Sequence, residues 1–343
     1  MNIHEKYMHR CLELALLGKG KTKTNPLVGA VLVYNDEIIG EGYHQKYGEA
    51  HAEVNCINSV SDQNIQNIKD ATIYINLEPC FHFGKTPPCV DLILKHEIKK
   101  VMIALQDPNP QVAGQSIEKL KSAGVEVLQD ILKPEAIKLN KRFIVFQKYN
   151  RPYIILKYAI SKNGYFSRKD KQQAWLSSAE TSNVTHAWRA EEDAILVGKN
   201  TVIFDNPKLD VRSISGENPI RVILDSNLEL DIHSNVFLDT APVLLYNKLK
   251  NEIYNHIHFI KKETLKEIMH DMYTRNIQSI IIEGGLEVIQ SLLKENLYDE
   301  IREIQTDTII EDGEQAPIHT LKPINKIISN TDIIYFYQNL PTI

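Results

Sequence analysis

Cysteine is scarce in this chain: Cys11, Cys56, Cys80 and Cys89 are the only four in 343 residues. So few thiols in so long a chain argue against a disulfide scaffold and predict a reducing compartment. Long apolar runs are missing too, and none approaches the ~20 residues that span a bilayer. The opening residues, Met1-Asn2-Ile3-His4-Glu5-Lys6, lack the apolar core of a secretory signal. The expected setting is therefore the cytoplasm, with no membrane partner. Positive charge is not in excess, the net charge being -5 with no long run of one sign. A groove that follows a nucleic-acid backbone favours a basic balance, so a small molecule is the expected substrate. No tandem repeat or low-complexity segment occurs.

What is present is ordinary globular composition, 43% hydrophobic and 24% charged, in a chain long enough for two domains. Helical spacing runs from Ile3 to Leu17. A strand at Val28–Val33, a turn at Asn35-Asp36 and a returning strand at Ile38–Tyr43 form a hairpin. Ala52–Ser59 reads as a helix with His51 and Glu53 in its first turn. Thr72–Leu77 reads as a strand, a helix begins near Cys89, and Lys100–Ala104 is the next strand. Residues 113–123 are a helix, 125–128 a short strand, and one helix from about Ala136 reaches Lys148. The alternation predicts an α/β layered domain. Asn150-Arg151-Pro152 is the best break, giving domains 1–149 and 150–343. The second half alternates again, with strands at 153–160, 193–198, 220–225, 242–246, 279–283 and 299–305 and helices near 178–190, 262–275 and 285–295.

Three short motifs carry chemistry: His51-Ala52-Glu53, Glu78-Pro79-Cys80 and Thr86-Pro87-Pro88-Cys89. A lone cysteine pair would read as buried thiols. Here one histidine and two cysteines fall, in order, at the ends of expected elements. They supply three ligands and leave a fourth position for water, the ligand count of a catalytic zinc site. His-x-Glu followed by Pro-Cys and a second cysteine is the signature of zinc nucleobase deaminases. Glu53 is not needed as a ligand and is free to move protons between water, a ring nitrogen and departing ammonia. The general pattern has two residues between the cysteines, whereas eight, Phe81–Pro88, stand here. Within them His82 and Lys85 either meet an anionic group such as a phosphate or are solvated loop residues.

With these motifs the chain resembles the RibD family of bifunctional riboflavin-biosynthesis deaminase/reductases. The matching stretches are Asn25-Pro26-Leu27-Val28-Gly29, Gly42-Tyr43-His44, the three motifs above with Gly84-Lys85, and Asp107-Pro108-Asn109-Pro110-Gln111-Val112-Ala113-Gly114. The resemblance implies a cytidine-deaminase-like three-layer domain acting on 2,5-diamino-6-ribosylamino-4(3H)-pyrimidinone 5′-phosphate. It implies substrate contacts for Asn25, His82, Lys85 and Asn109. The second half is similar to the family's reductase domain, of dihydrofolate-reductase-like fold, which uses NADPH to open the ribosyl group to ribityl. That similarity rests on Lys157, Ser161, Gly164, Trp175, Trp188-Arg189-Ala190, Ala194–Gly198, Thr201-Val202, Asp205-Asn206-Pro207, Leu209-Asp210-Val211-Arg212, Pro219–Ser226 and Glu283-Gly284-Gly285. It implies catalytic roles for Lys157 and Glu283. It implies cofactor contacts for Ala159, Trp175, Thr201, Asp205, Ser226, Gly284 and Gly285, and substrate contacts for Arg189, Leu209, Arg212 and Glu283. A homo-oligomer, dimer or tetramer, is expected. Two glycines between a strand and a helix independently suit a phosphate at a helix start, and arginines such as Arg189 and Arg212 suit a sugar phosphate.

The second half departs from the family pattern. Ser161-Lys162-Asn163-Gly164 replaces Ser-x-Asp-Gly, and Leu286-Glu287 stands where Pro-Thr is usual. Glu287 brings negative charge towards the phosphate position, which predicts weakened cofactor binding. The segment Thr306–Ala316 lacks the usual Pro-Lys-x-x-Gly-Gly. The expectation is a bifunctional enzyme using Zn2+ and NADPH. The alternative is a deaminase whose C-terminal half is a degenerate reductase or dimerisation module.

Overall fold

The computed structural model describes residues 2–81, 87–109, 112–170 and 177–339. His82, Lys85 and Trp175 lie outside the described residues. The chain divides into two compact units, Met1–Asn150 and Arg151–Ile343. Among the described residues no helix is long and apolar enough to cross a membrane.

The first unit contains α1 (Ile3–Leu16), β1 (Gly29–Tyr34), β2 (Glu37–Tyr43), α2 (Ala52–Asn58), β3 (Thr72–Ile75), α3 (Cys89–Lys95), β4 (Lys100–Ile103), α4 (Gln115–Ser122), β5 (Glu126–Leu128), α5 (Lys133–Leu139) and α6 (Lys141–Tyr149). Its sheet runs β2-β1-β3-β4-β5, antiparallel over the first three strands and parallel thereafter. Asn35 and Asp36 both take positive φ, 49° and 61°. That is the two-residue turn whose twist suits a hairpin, and Asn and Asp tolerate it. Alternation along the strands sorts side chains to two faces. Ala30, Leu32, Ile73, Ile75, Val101 and Ile103 face α2, α3 and α4 in one core. Towards α1, Tyr7 packs on Tyr74 with ring centroids 5.2 Å apart, and the Cys11 thiol donates to the Tyr74 carbonyl at 3.2 Å. The result is the three-layer arrangement.

Some expected boundaries move. His51 is the N-cap of α2 and not part of its first turn. The strand expected through Leu77 ends at Ile75, because Asn76 leaves the ladder. Its side chain accepts from Gly29 N at 2.7 Å and donates to the Leu27 carbonyl at 2.9 Å. The single helix expected to reach Lys148 is two, α5 and α6, meeting at Asn140. Asn140 leaves helical geometry to accept from Leu27 N at 2.8 Å and donate to the Leu27 carbonyl at 3.0 Å. Two buried amides thus clamp the stretch that follows Asn25. A 3-10 segment, Asp62–Asp70, was not foreseen.

The second unit contains β6 (Tyr153–Ile160), β7 (Tyr165–Arg168), α7 (Ala179–Glu191), β8 (Ala194–Gly198), α8 (Lys199–Asp205), β9 (Ile220–Leu224), β10 (Val243–Asn247), β11 (Glu252–Tyr254), β12 (Ile257–Lys261), α9 (Leu265–Thr274), β13 (Ser279–Ile282), α10 (Leu286–Lys294), β14 (Glu300–Gln305), β15 (Gly313–Gln315), β16 (Asn325–Ser329) and β17 (Asp332–Gln338). A ten-stranded sheet runs β11-β12-β10-β9-β8-β13-β6-β14-β17-β16. Every neighbouring pair from β12 to β14 is parallel. Buried on both faces, these strands read as continuous apolar runs such as Ile280-Ile281-Ile282. They bring their carboxyl ends, where ligands bind in such sheets, to one edge.

Helix α2 sits unusually close to β2. A Cβ on Gly42 would lie 2.2 Å from Cys56 N and 2.6 Å from the Ala52 carbonyl. Both atoms are backbone, so the helix must move to admit it. Gly42→Ala is expected to destabilise the first unit by about 1–3 kcal/mol, the usual cost of overpacking. Differential scanning calorimetry would show this as a lowered first-unit transition, and an unchanged transition would contradict the tight approach.

Candidate functional site

Three element ends converge in the first unit. His51 caps α2, Cys89 is the first residue of α3, and Cys80 follows β3. The ligand atoms of His51, Cys80 and Cys89 all lie within 4.8 Å of one another. His51 Nδ1 is 3.5 Å from Cys80 Sγ and 3.3 Å from Cys89 Sγ, and Cys89 N–H donates to Cys80 Sγ at 3.2 Å. Hydrogen bonds from Cys89, then from His51, draw Cys80 down to about 4. The Cys89 thiol goes up, chiefly because it donates to Cys80. Two thiolates this close need a cation between them, and a soft donor set of two sulfurs and one imidazole fits zinc.

Glu53, in the first turn of α2, is buried, with 3% of its surface exposed. Burial, then the charge of Cys80, raises its carboxyl to about 7. A group poised near neutrality both takes and returns protons at ordinary pH. It hydrogen-bonds to Cys89 and so faces the same point as the ligands.

Asn25 lies at this site through a residue not singled out from sequence. Its Nδ2 is 3.0 Å from His44 Nε2, and His44 Nδ1 is 3.1 Å from the Ala50 carbonyl. The carbonyl can only accept, so the proton is assigned to Nδ1 and Nε2 accepts from Asn25. Burial lowers the pKa of His44, which favours that neutral form. His44 also sets its ring edge-on to His51 at 5.7 Å. Its only sequence signal was its place in Gly42-Tyr43-His44. Asn109 accepts through its carbonyl from Val112 N and Ala113 N, and its own N–H donates to Asp107 Oδ1 at 2.8 Å.

In the second unit Glu283, at the end of β13, holds two cations. Arg189 grips it with Nε at 2.7 Å and Nη2 at 2.8 Å, and Lys157 Nζ approaches to 3.5 Å. Burial would raise this carboxyl, but Lys157 and Arg189 outweigh burial and hold it down at about 2. Arg189 also donates to the Asp210 carbonyl at 3.1 Å. Arg189, read from the sequence as suited to a sugar phosphate, pairs through its guanidinium with Glu283. Arg212 is the exposed arginine, paired with Asp210 at 2.5 Å. Leu209 is buried with a φ of 56°.

Beside this cluster lies a cleft of ≈ 960 Å³ whose walls include Thr201, Asp205, Ser226, Gly285 and Glu287. Gly285 takes a φ of 76° and caps α10, and a Cβ on Gly284 would meet Thr201 Oγ1 at 2.6 Å. Only glycine permits that approach. The turn therefore brings a helix start, the kind of place that suits a phosphate, to the cleft wall. Ala159 sits on β6 two residues from Lys157 and is not among the residues that line the cleft. The departure at Asn163 is accommodated. Its Nδ2 donates to the Ile310 carbonyl at 2.7 Å while its Oδ1 accepts from Ile310 N at 3.2 Å, a pairing an aspartate could make only in part.

Comparison with known proteins matches both units to known domains. Residues 1–105 match the cytidine and deoxycytidylate deaminase zinc-binding region, and residues 152–318 match the RibD C-terminal domain. The chain is 39% identical over 308 residues to the riboflavin biosynthesis protein RibD of Aquifex aeolicus, covering 87% of this chain and 85% of that one. It is 34% identical to its Escherichia coli counterpart over 328 residues, covering 87% and 86%. The solved structure of Acinetobacter baumannii RibD superposes with a TM-score of 0.88 at 31% identity, covering 98% of each chain. A deaminase/reductase from Thermotoga maritima superposes with a TM-score of 0.88 at 33% identity, covering 98% of this chain and 99% of that one. Identity at this level across both units places the chain in the RibD family, the bifunctional riboflavin-biosynthesis enzymes that join a zinc-dependent deaminase to an NADPH-dependent reductase.

Proposed function

We propose that the first unit deaminates 2,5-diamino-6-ribosylamino-4(3H)-pyrimidinone 5′-phosphate and the second reduces the product's ribosyl group to ribityl. The observation that carries this reading is the His51, Cys80 and Cys89 donor set with buried Glu53 turned towards it. His51, Cys80 and Cys89 would hold the zinc, which when bound lowers the pKa of a water towards neutrality. Glu53 takes a proton as water adds to the amino-bearing ring carbon. It passes that proton to the ring nitrogen, then takes the second proton from the added hydroxyl as the carbonyl forms and gives it to the amino group, which leaves as ammonia. Asn25, held by His44, and Asn109 orient the pyrimidine, with His82 and Lys85 assigned to the substrate by family resemblance alone.

In the second unit Gly284, Gly285, Thr201, Asp205 and Ser226 would hold NADPH, which supplies the hydride. Ala159 and Trp175 are assigned there by resemblance alone. Ionised Glu283 fixes Lys157 and Arg189 beside the cleft, and Lys157 is the member of that trio with a proton to give to the opened sugar oxygen. Leu209 and Arg212 complete the substrate side. Functional boundaries at 1–149 and 150–343 follow from this division. The chain acts in the cytoplasm, with no nucleic-acid partner, in keeping with its charge of -5 and its few cysteines. It forms a homo-oligomer, dimer or tetramer. In support, the edge strand β16 and the residue before it leave Ile328 and Ile324 75% and 65% exposed.

A coupled assay tests the proposal. The pyrimidine ribotide alone is expected to release ammonia, and adding NADPH is expected to consume nicotinamide absorbance. Ammonia release without NADPH consumption would leave the second unit without its activity. Glu53→Gln is expected to slow ammonia release by roughly 10²–10⁴-fold, the range for a lost general acid–base. It should retain zinc and leave NADPH consumption on supplied deaminated intermediate unchanged. Normal ammonia release would remove Glu53 from the chemistry.

Glu287 lies in the first turn of α10 and on the cleft wall. A carboxylate there favours the helix dipole but repels a phosphate. Glu287→Gln is expected to tighten NADPH by about 2–5-fold, the equivalent of roughly 0.3–1 kcal/mol for a charge at a helix end. Titration calorimetry at low salt reads the change, and weaker binding would place the phosphates elsewhere.

A further inference from the structure

Glu78 is 5% exposed and lies two residues before a metal-ligand candidate, yet it does not face the ligands. Its carboxylate collects backbone N–H groups from a distant stretch. Oε2 accepts from Asp107 N at 3.0 Å and Gly114 N at 2.9 Å. Oε1 accepts from Ser116 N at 3.1 Å and Ile117 N at 3.4 Å. The N-cap of α4, Gly114, has no side chain to cap the helix, so Glu78 serves as its cap from the segment that follows β3. The same segment makes a further tie, in which Ser116 Oγ donates to the Pro79 carbonyl at 2.6 Å. On the near side Asp107 is pinned through its N–H, and its side chain in turn accepts from Asn109 N.

One carboxylate therefore fastens both flanks of Asn109 to the strand end that carries Cys80. We infer that Glu78 is a positioning residue for the deaminase: it sets Asn109, and so the bound pyrimidine, in register with the metal ligands. This rests on the reading of Asn109 as a substrate contact. Charge and acceptor number both matter. A carboxylate supplies acceptors on both oxygens, whereas a glutamine in its place presents an NH2 to two N–H donors. Those two donors would be left buried and unsatisfied. The flanks of Asn109 would shift while the metal ligands, held by their own element ends, would stay. A residue acting in this way affects the fit of the substrate more than the proton transfers of Glu53.

The test is steady-state deamination of the pyrimidine ribotide by the zinc-loaded full chain, comparing wild type, Glu78→Gln, Asn109→Ala and the double variant. The expected result for Glu78→Gln is a KM raised ten-fold or more, kcat within about three-fold of wild type and unchanged zinc content. The double variant is expected to have the KM of Asn109→Ala alone, because Glu78 acts through Asn109. Multiplying effects in the double variant, or a kcat and zinc loss without a KM change, would overturn the positioning role and leave a structural one. If Asn109→Ala alone leaves KM unchanged, the substrate contact itself fails, and this role with it. Should Glu78→Gln not accumulate, hydrogen exchange on wild type decides. The amides of Asp107, Gly114 and Ser116 are expected to exchange slowly, and exchange at the rate of exposed loop amides would overturn the assignment.

Discussion

Two sulfurs and an imidazole nitrogen forced within 4.8 Å of one another are the constraint on which the first unit depends. As bare protein the arrangement is electrostatically awkward, since the contact that draws the Cys80 thiol down pushes the Cys89 thiol up, and burial adds to that rise. A divalent cation relieves that conflict and stabilises both thiolates, so metal binding and the local fold are linked. The surrounding architecture serves to bring three element ends to one point. Gly42 lets α2 lie against β2, and Asn76 and Asn140 clamp Leu27 from two sides. Glu53, carried on α2 itself, comes to the site with His51.

The second unit solves a different problem by a related device. A parallel sheet gathers strand ends at one edge, and Glu283 stands at the end of a central strand. Its charge is kept by Arg189 and Lys157 against the cost of burial. An unpaired charge in that position would neutralise itself by shifting its pKa. Paired, it holds two cations beside the glycine turn that opens onto the cleft. The shared logic is that a buried ionisable group is retained where its partners fix the geometry of a reacting centre.

Much of this was legible in the sequence because the signals are local. His51-Ala52-Glu53 and the two Pro-Cys motifs each announce an element end within three or four residues. Apolar runs such as Ile280–Ile282 mark a buried parallel strand without knowledge of its neighbours. What was not legible depends on partners far away in the chain. The α5–α6 break at Asn140 exists for the sake of Leu27, 113 positions earlier. Glu78 finds its donors 29 to 39 residues later, and backbone N–H groups leave no mark on composition. The Glu283 carboxylate that Arg189 pairs with is 94 residues away. Short elements also escaped. β15 has three residues, and α8 is a seven-residue helix rich in β-branched and aromatic types that favour strands. The departure at Asn163 could be judged only once Ile310 was seen to offer both a donor and an acceptor.

The account stands most directly on the metal. Zinc measured by mass spectrometry on purified protein, followed by chelation with ammonia release and NADPH consumption read in parallel, tests it. The predicted result is tightly held zinc, loss of ammonia release on chelation with recovery on adding zinc back, and unaffected NADPH consumption on supplied deaminated intermediate. Protein without bound metal, or ammonia release that survives chelation, would contradict it.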